Sequence, residues 1–168
     1  MKNHFELFGL TPAFALEAES LERAYREIQS QIHPDRYAQA GDAERRASLQ
    51  WTTRVNEAYR TLKSPVQRAR YLLEMNGVDV QFETNTQMPA EFLMKQLALR
   101  EALEEAKQPA ALERLQAQVR REKALLEKHI ARLLDAEKDY AGAAGEARKL
   151  MFLDKLDAEI DLAFEGVG

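Results

Sequence analysis

Few side chains in this sequence could do chemistry. There is no cysteine and there are three histidines, His4, His33 and His129, so disulfides, thiolate metal sites and cysteine nucleophiles are excluded. Two titratable groups share a stiff frame at one place only, His33-Pro34-Asp35. Proline fixes its own φ and pushes the residue before it out of helical geometry. The tripeptide is therefore a rigid turn carrying a ring donor, His33, and a carboxylate acceptor, Asp35. An acid–base pair would need a pocket and further converging groups. His4 and His129 fall on separate predicted helices, and no glycine-rich phosphate loop occurs, so no enzyme is expected. A displayed donor–acceptor pair near Arg23, Arg26 and Arg36 suits the acidic surface of another protein. Plainer readings stay open: Pro34 ends a helix and Asp35 caps the next turn, and the arginines, with Glu22 and Glu27 beside them, form a solvated face.

The elements that hold this turn are legible from spacing. His4 to Phe8 is short and aromatic and is interrupted by Gly9, Thr11 and Pro12, which limits it to one or two helical turns. Leu21, Ala24, Tyr25, Ile28 and Ile32 recur at three and four residues, predicting an amphipathic helix with Ser20 as its cap, ended near Ile32 or His33 by Pro34. His33 to Arg36 is then a loop. Ala47, Trp51, Val55, Ala58 and Leu62 mark one face of a second long helix, antiparallel to the first. Ser64-Pro65 starts a short helix through Val66, Ala69, Leu72 and Leu73 that Asn76-Gly77 ends.

The first unit is expected to close at residue 76, and residues 77–89 form a connection in which Asp79, Thr84, Asn85 and Thr86 favour turns and Val78, Val80 and Phe82 could pin the chain down. Residues 90–168 predict three helices: Ala90 to Ala106, Pro109 to about Asp139, and about Ala143 to Phe164, with Gly142 and Gly145 breaking the last gap. Leu112, Val119, Leu126, Leu133 and Tyr140 repeat every seven residues with Leu115 and Ile130 between them, as near-antiparallel packing requires. The fold class is all-α: a helical hairpin followed by a three-helix bundle.

On a helical wheel, Phe92, Gln96, Leu99, Leu103 and Ala106 fall together as the buried stripe. Leu93, Met94 and Leu97 fall elsewhere, beside Glu101, Glu104 and Glu105. In the last helix Leu150, Leu153, Asp157, Ile160 and Phe164 group together and leave Met151 and Phe152 aside. Apolar residues off the stripe face solvent or a partner; the alternative is that a bundle helix buries a wide stripe and these are core residues.

The turn and its flanks, with Asn56-Glu57-Ala58-Tyr59-Arg60-Thr61-Leu62 on the second helix, resemble a J-domain. The resemblance implies that His33, Pro34 and Asp35, with the basic face of the preceding helix, contact a DnaK-type chaperone and stimulate its ATP hydrolysis. The whole chain resembles the HscB family of iron–sulfur cluster biogenesis co-chaperones, through Asn3 to Leu10, Arg68 to Leu73, Phe92 to Glu101 and Arg148 to Leu156. It implies a J-domain over 1–76, a linker over 77–89 and a client domain over 90–168. The implied partners are the DnaK-type ATPase chaperone HscA and the iron–sulfur cluster scaffold protein (IscU type). The implied client patch is Leu93, Met94, Leu97, Glu101, Glu105 and Phe152. Lys95 and Ala98 depart from the family, where glutamates are frequent, so the polar rim is expected to be weaker or differently charged. Cysteines that animal and plant relatives carry ahead of the J-domain are absent, implying a bacterial-type member. A J-domain adaptor for a different client is the alternative.

The remaining composition narrows the partners. Residues 1–76 carry 11 Lys/Arg against 10 Asp/Glu and the rest 13 against 18. A nucleic-acid binder needs a concentrated positive field, so nucleic acid is not expected. No stretch approaches the roughly 20 apolar residues of a membrane span; no membrane partner and a cytoplasmic location are expected. No cofactor or metal is expected either, since no ligand set stands out.

Overall fold

The computed structural model describes residues 2–82 and 87–167, with Pro34 described by its backbone alone. Thr84, Asn85 and Thr86, expected as turn formers, lie outside the described residues. Helices α1 (His4–Leu7), α2 (Ala18–Ile32), α3 (Asp42–Lys63), α4 (Pro65–Met75), α5 (Ala90–Glu105), α6 (Pro109–Ala131) and α7 (Tyr140–Val167) follow in order, and no strand occurs among the described residues. The chain divides into two compact units between Leu72 and Leu73, inside α4 and a few residues ahead of the boundary expected after Asn76.

In the first unit α1 starts with a capping box: the Asn3 side chain accepts from the Glu6 N–H at 2.9 Å while the Glu6 carboxylate accepts from the Asn3 N–H at 3.3 Å. The His4 ring stacks on Tyr71 with centroids 4.2 Å apart and the His4 backbone N–H donates to the Tyr71 hydroxyl, which ties α1 to α4. Helix α2 starts earlier than expected, at Ala18 with Glu17 before it; Ser20 lies in the first turn and donates to the Glu17 carboxylate instead of capping the helix. The α2–α3 pair is antiparallel, because its cross-links run in opposite senses: Tyr59 to Glu22, Tyr25 to Asn56 and Ser48 to Ile32.

The buried face of α3 differs from the expected one. Ser48, Val55, Ala58, Tyr59 and Leu62 are buried, whereas Ala47 and Trp51 are exposed. Trp51 instead carries the Arg54 guanidinium over its ring at 5.4 Å. Helix α4 stops at Gly77, whose φ of +78° is left-handed and suits only glycine without strain, with the Val78 N–H closing on the Leu73 carbonyl at 2.9 Å.

In the second unit α5, α6 and α7 pack around Leu99, Leu112, Leu115, Val119, Leu153, Leu156 and Ile160. Removing one such side chain, as in Leu112→Ala, costs about 2–5 kcal/mol. The chain before α5 is held to this unit: Val80 is fully buried and its carbonyl accepts from Arg148 at 3.0 Å.

The expected long helix through Asp139 is interrupted. After Ala131 the chain widens into a π turn over Arg132–Glu137, which buries the adjacent residues Leu133 and Leu134 together, and Lys138 then turns left-handed at φ +55°. Helix α7 starts at Tyr140, so Gly142 and Gly145 lie inside it and break nothing. Gly142 sits in the first turn, where the Asp139 carboxylate accepts from its N–H at 3.0 Å and a side chain would collide with that carboxylate.

Helices α6 and α7 are also pinned by charge. Asp157, buried, accepts from Gln116 at 3.0 Å and Lys123 at 3.1 Å, and Lys123 also meets Asp154 at 2.7 Å. Burial pushes the Asp157 carboxyl up, but the hydrogen bonds from Gln116 and Lys123, with the charges of Lys123 and Arg120, prevail and hold it below its ordinary value. Burial pushes the Lys123 ammonium down, yet Asp154 and Asp157 together raise it.

Candidate partner-binding sites

The first candidate site is the tip of the α2–α3 hairpin. Helix α2 ends at Ile32, and His33 leaves helical geometry at ψ 133° ahead of Pro34. The expected loop is a single 3-10 turn over Pro34–Tyr37, closed by the Arg36 N–H on the His33 carbonyl at 3.0 Å. Ser48 on α3 donates to the Ile32 carbonyl at 2.8 Å, satisfying the end of α2 and holding the tip in place.

Within the turn the His33 Nδ1 accepts from the Asp35 N–H at 3.2 Å. With Nδ1 as the acceptor, the neutral ring carries its N–H on Nε2. The Asp35 carboxylate stands 3.5 Å from the same Nδ1, a contact that becomes an ion pair only if the ring is protonated. Asp35 is 92% exposed and His33 about half exposed. The turn thus presents a ring donor and an unencumbered carboxylate to solvent.

Arg23 and Arg26 are exposed on one face of α2, where they line a shallow depression with Ala18, Glu19, Glu22 and Glu27. Glu22 is committed to the Tyr59 hydroxyl and lies 3.9 Å from Lys63. Arg36 is exposed on the turn itself. The arginines are accordingly available, though interleaved with carboxylates.

The second candidate site lies along the seam of α5 and α7. The wheel expectation for α5 matches the burial: Gln96 and Leu99 are buried, Phe92, Leu103 and Ala106 partly so, and Leu93, Met94 and Leu97 are exposed, Met94 by 72% and Leu97 by 62%. A groove of about 320 Å³ runs between the helices, lined by Met88, Phe92, Leu93, Gln96, Leu97, Arg100 and Phe152. Arg100 pairs with Glu159 at 2.8 Å and bridges the two helices there.

Of the expected client residues, Leu93, Leu97 and Phe152 come together in this groove. Met94, Glu101 and Glu105 do not line it; all three are exposed on α5. Lys95 lines a different cleft, with Glu122, Leu125, His129, Glu146 and Lys149. Sequence reasoning missed Ser48, Met88 and Arg100, and it read Gln96 only as part of the core. A polar residue inside an apolar stripe was the signal available for Gln96.

The three histidines stay apart in role: His4 stacks on Tyr71, His33 forms the turn, and His129 meets Glu146 at 3.0 Å. Among the described residues no group of three His, Asp or Glu could hold a metal ion, and no helix is long and apolar enough to cross a membrane.

Comparison with known proteins agrees along the whole chain. Residues 3–71 match the DnaJ domain family and residues 88–161 the family described as the HSCB C-terminal oligomerisation domain. The chain is 48% identical to the "Co-chaperone protein HscB homolog" of Bordetella petrii, over 96% of this chain and 95% of that one. Its structure is similar to chaperone HscB from Vibrio cholerae, with a TM-score of 0.87 and 33% identity over 99% of this chain and all of the other. It is also similar to human co-chaperone protein HscB, with a TM-score of 0.91 and 25% identity over 97% of this chain and 82% of that one. Exposed His33 and Asp35 on the turn between two helices, a second unit without strands among its described residues, and 48% identity over nearly the full length of both chains lead to one conclusion: the chain belongs to the HscB family of J-domain co-chaperones.

Proposed function

We propose that this protein stimulates ATP hydrolysis by a DnaK-type chaperone, HscA, and delivers to it the iron–sulfur cluster scaffold protein of the IscU type. The observation that carries the reading is the stiff turn that exposes His33 and Asp35 at the end of an antiparallel hairpin. A rigid turn loses little freedom on binding, so its two polar groups act at low entropic cost. Asp35 accepts from a basic group of the chaperone, the His33 Nε2–H donates, and Arg23, Arg26 and Arg36 meet acidic residues around them. The protein does no chemistry itself; the nucleotide and its hydrolysis belong to the partner.

In this reading residues 1–76 act as the J-domain, 77–89 as the connection and 90–168 as the client domain. The groove residues Leu93, Leu97 and Phe152 anchor the scaffold, with Met94, Glu101 and Glu105 around them. Anchors of this kind carry most of an interface's energy, and the polar rim sets partner choice. Holding client and chaperone on one chain raises their effective concentration, so that hydrolysis traps the client as this protein leaves. The work takes place in the cytoplasm.

The test is steady-state ATP hydrolysis by purified HscA, with this protein added in the presence and absence of scaffold. Asp35→Ala removes a carboxylate that is 92% exposed, so melting temperature and scaffold affinity stay unchanged while stimulation is lost. An Asp35→Ala variant that stimulates as well as the parent refutes the proposed role of the turn.

A further inference from the structure

Gln96 is buried without being satisfied. It is 6% exposed, and neither its Oε1 nor its Nε2 has a hydrogen-bond partner among the described residues. Leaving a buried amide unpaired is unfavourable, and native proteins contain few such groups. Methionine would fill the same place in the stripe without that penalty. The amide belongs to the wall of the α5–α7 groove, between Phe92 one turn before it and Arg100 one turn after. Arg100 is already paired with Glu159, so the groove is an apolar slot with one uncommitted donor–acceptor pair sealed in its wall.

We infer that Gln96 is a specificity-determining residue of this groove, whose amide pairs with an unpaired peptide group of the scaffold protein beside the apolar side chain that fills the slot. The inference rests on the client-binding reading above. A carboxamide sets a C=O acceptor next to N–H donors. That pattern matches the N–H and C=O left free together in an extended segment, whereas backbone inside a helix has already used both.

Size agrees with this. At about 30 Å³ for each water, a groove of about 320 Å³ holds roughly ten waters, which is room for a large side chain and its peptide group. Charge points the same way: Glu101, Glu104 and Glu105 are exposed on the last turns of α5, so the arriving segment carries Lys or Arg on that side. The last torsion of a glutamine is broad, so the buried amide can turn either its C=O or its N–H toward a partner that enters the groove. An apolar segment without a free peptide group leaves the amide unpaired and is rejected.

The test is calorimetric titration of the full chain with purified IscU-type scaffold, comparing the parent with Gln96→Met and Leu97→Ala. Gln96→Met keeps the volume and removes the amide; it binds about tenfold more weakly and melts no lower than the parent. In ¹⁵N-labelled protein the Gln96 side-chain NH₂ signals shift on adding scaffold, which a purely structural role does not require. Parent-like binding by Gln96→Met alongside weakened Leu97→Ala overturns the role of Gln96 and leaves the groove reading standing. Unmoved NH₂ signals overturn it in the same way. If neither variant loses affinity, the groove reading falls and takes this inference with it.

Discussion

Leu97→Ala separates a binding surface from a core position by where the lost energy appears. Fully burying a leucine side chain is worth about 1.5–3 kcal/mol. Leu97 is 62% exposed in the free protein, so a partner that covers it gains roughly 1–2 kcal/mol, or about 5- to 30-fold in affinity. The part already covered is the smaller share, and alanine is a better helix former than leucine, so the folded state loses about 1 kcal/mol at most. The expectation is a clear drop in scaffold affinity, measured by calorimetry at fixed ionic strength, with little change in melting temperature. Leu162 is the control: it is 65% exposed on α7 but does not line the groove, so Leu162→Ala binds as the parent does. Affinity of Leu97→Ala within twofold of the parent refutes the reasoning. An equal loss in Leu162→Ala refutes it too, because generic apolar adhesion then explains both.

Two stability predictions concern the second unit. The Asp157 carboxyl is held below its ordinary value in the folded protein, against burial, by Gln116, Lys123 and Arg120. Such a group contributes stability that is present above the unfolded carboxylate value of about 3.9 and is lost as pH falls through the lower folded value. The urea midpoint therefore falls steadily on acidification from about pH 5 to below pH 4, and Asp157→Asn flattens that slope; parallel curves for the two proteins count against the network. Lys138 holds a left-handed φ of +55°, which costs a non-glycine residue roughly 1 kcal/mol. Lys138→Gly therefore raises the melting temperature by about 2–6 °C in a thermal scan, and an unchanged or lower value contradicts the assigned strain.

What the sequence decided by itself is what local chemistry decides. Pro34 cannot continue a helix, so the end of α2 and the stiffness of the His33-Pro34-Asp35 turn were readable without knowing what packs on them. The same holds for the α5 stripe through Phe92, Gln96 and Leu99, where a fixed 100° step per residue separates buried from exposed leucines. The tertiary structure decided what depends on a neighbour. On α3, Ala47 and Trp51 looked like core, yet both are exposed and Ser48 is buried, where its hydroxyl satisfies the Ile32 carbonyl of another helix. The π turn at Arg132–Glu137 has no residue that announces it; it lets Leu133 and Leu134 be buried side by side. Gln96 shows the division most plainly, since its place in the stripe was a matter of spacing. That its amide is left without a partner beside an apolar groove follows only from how α5 and α7 meet.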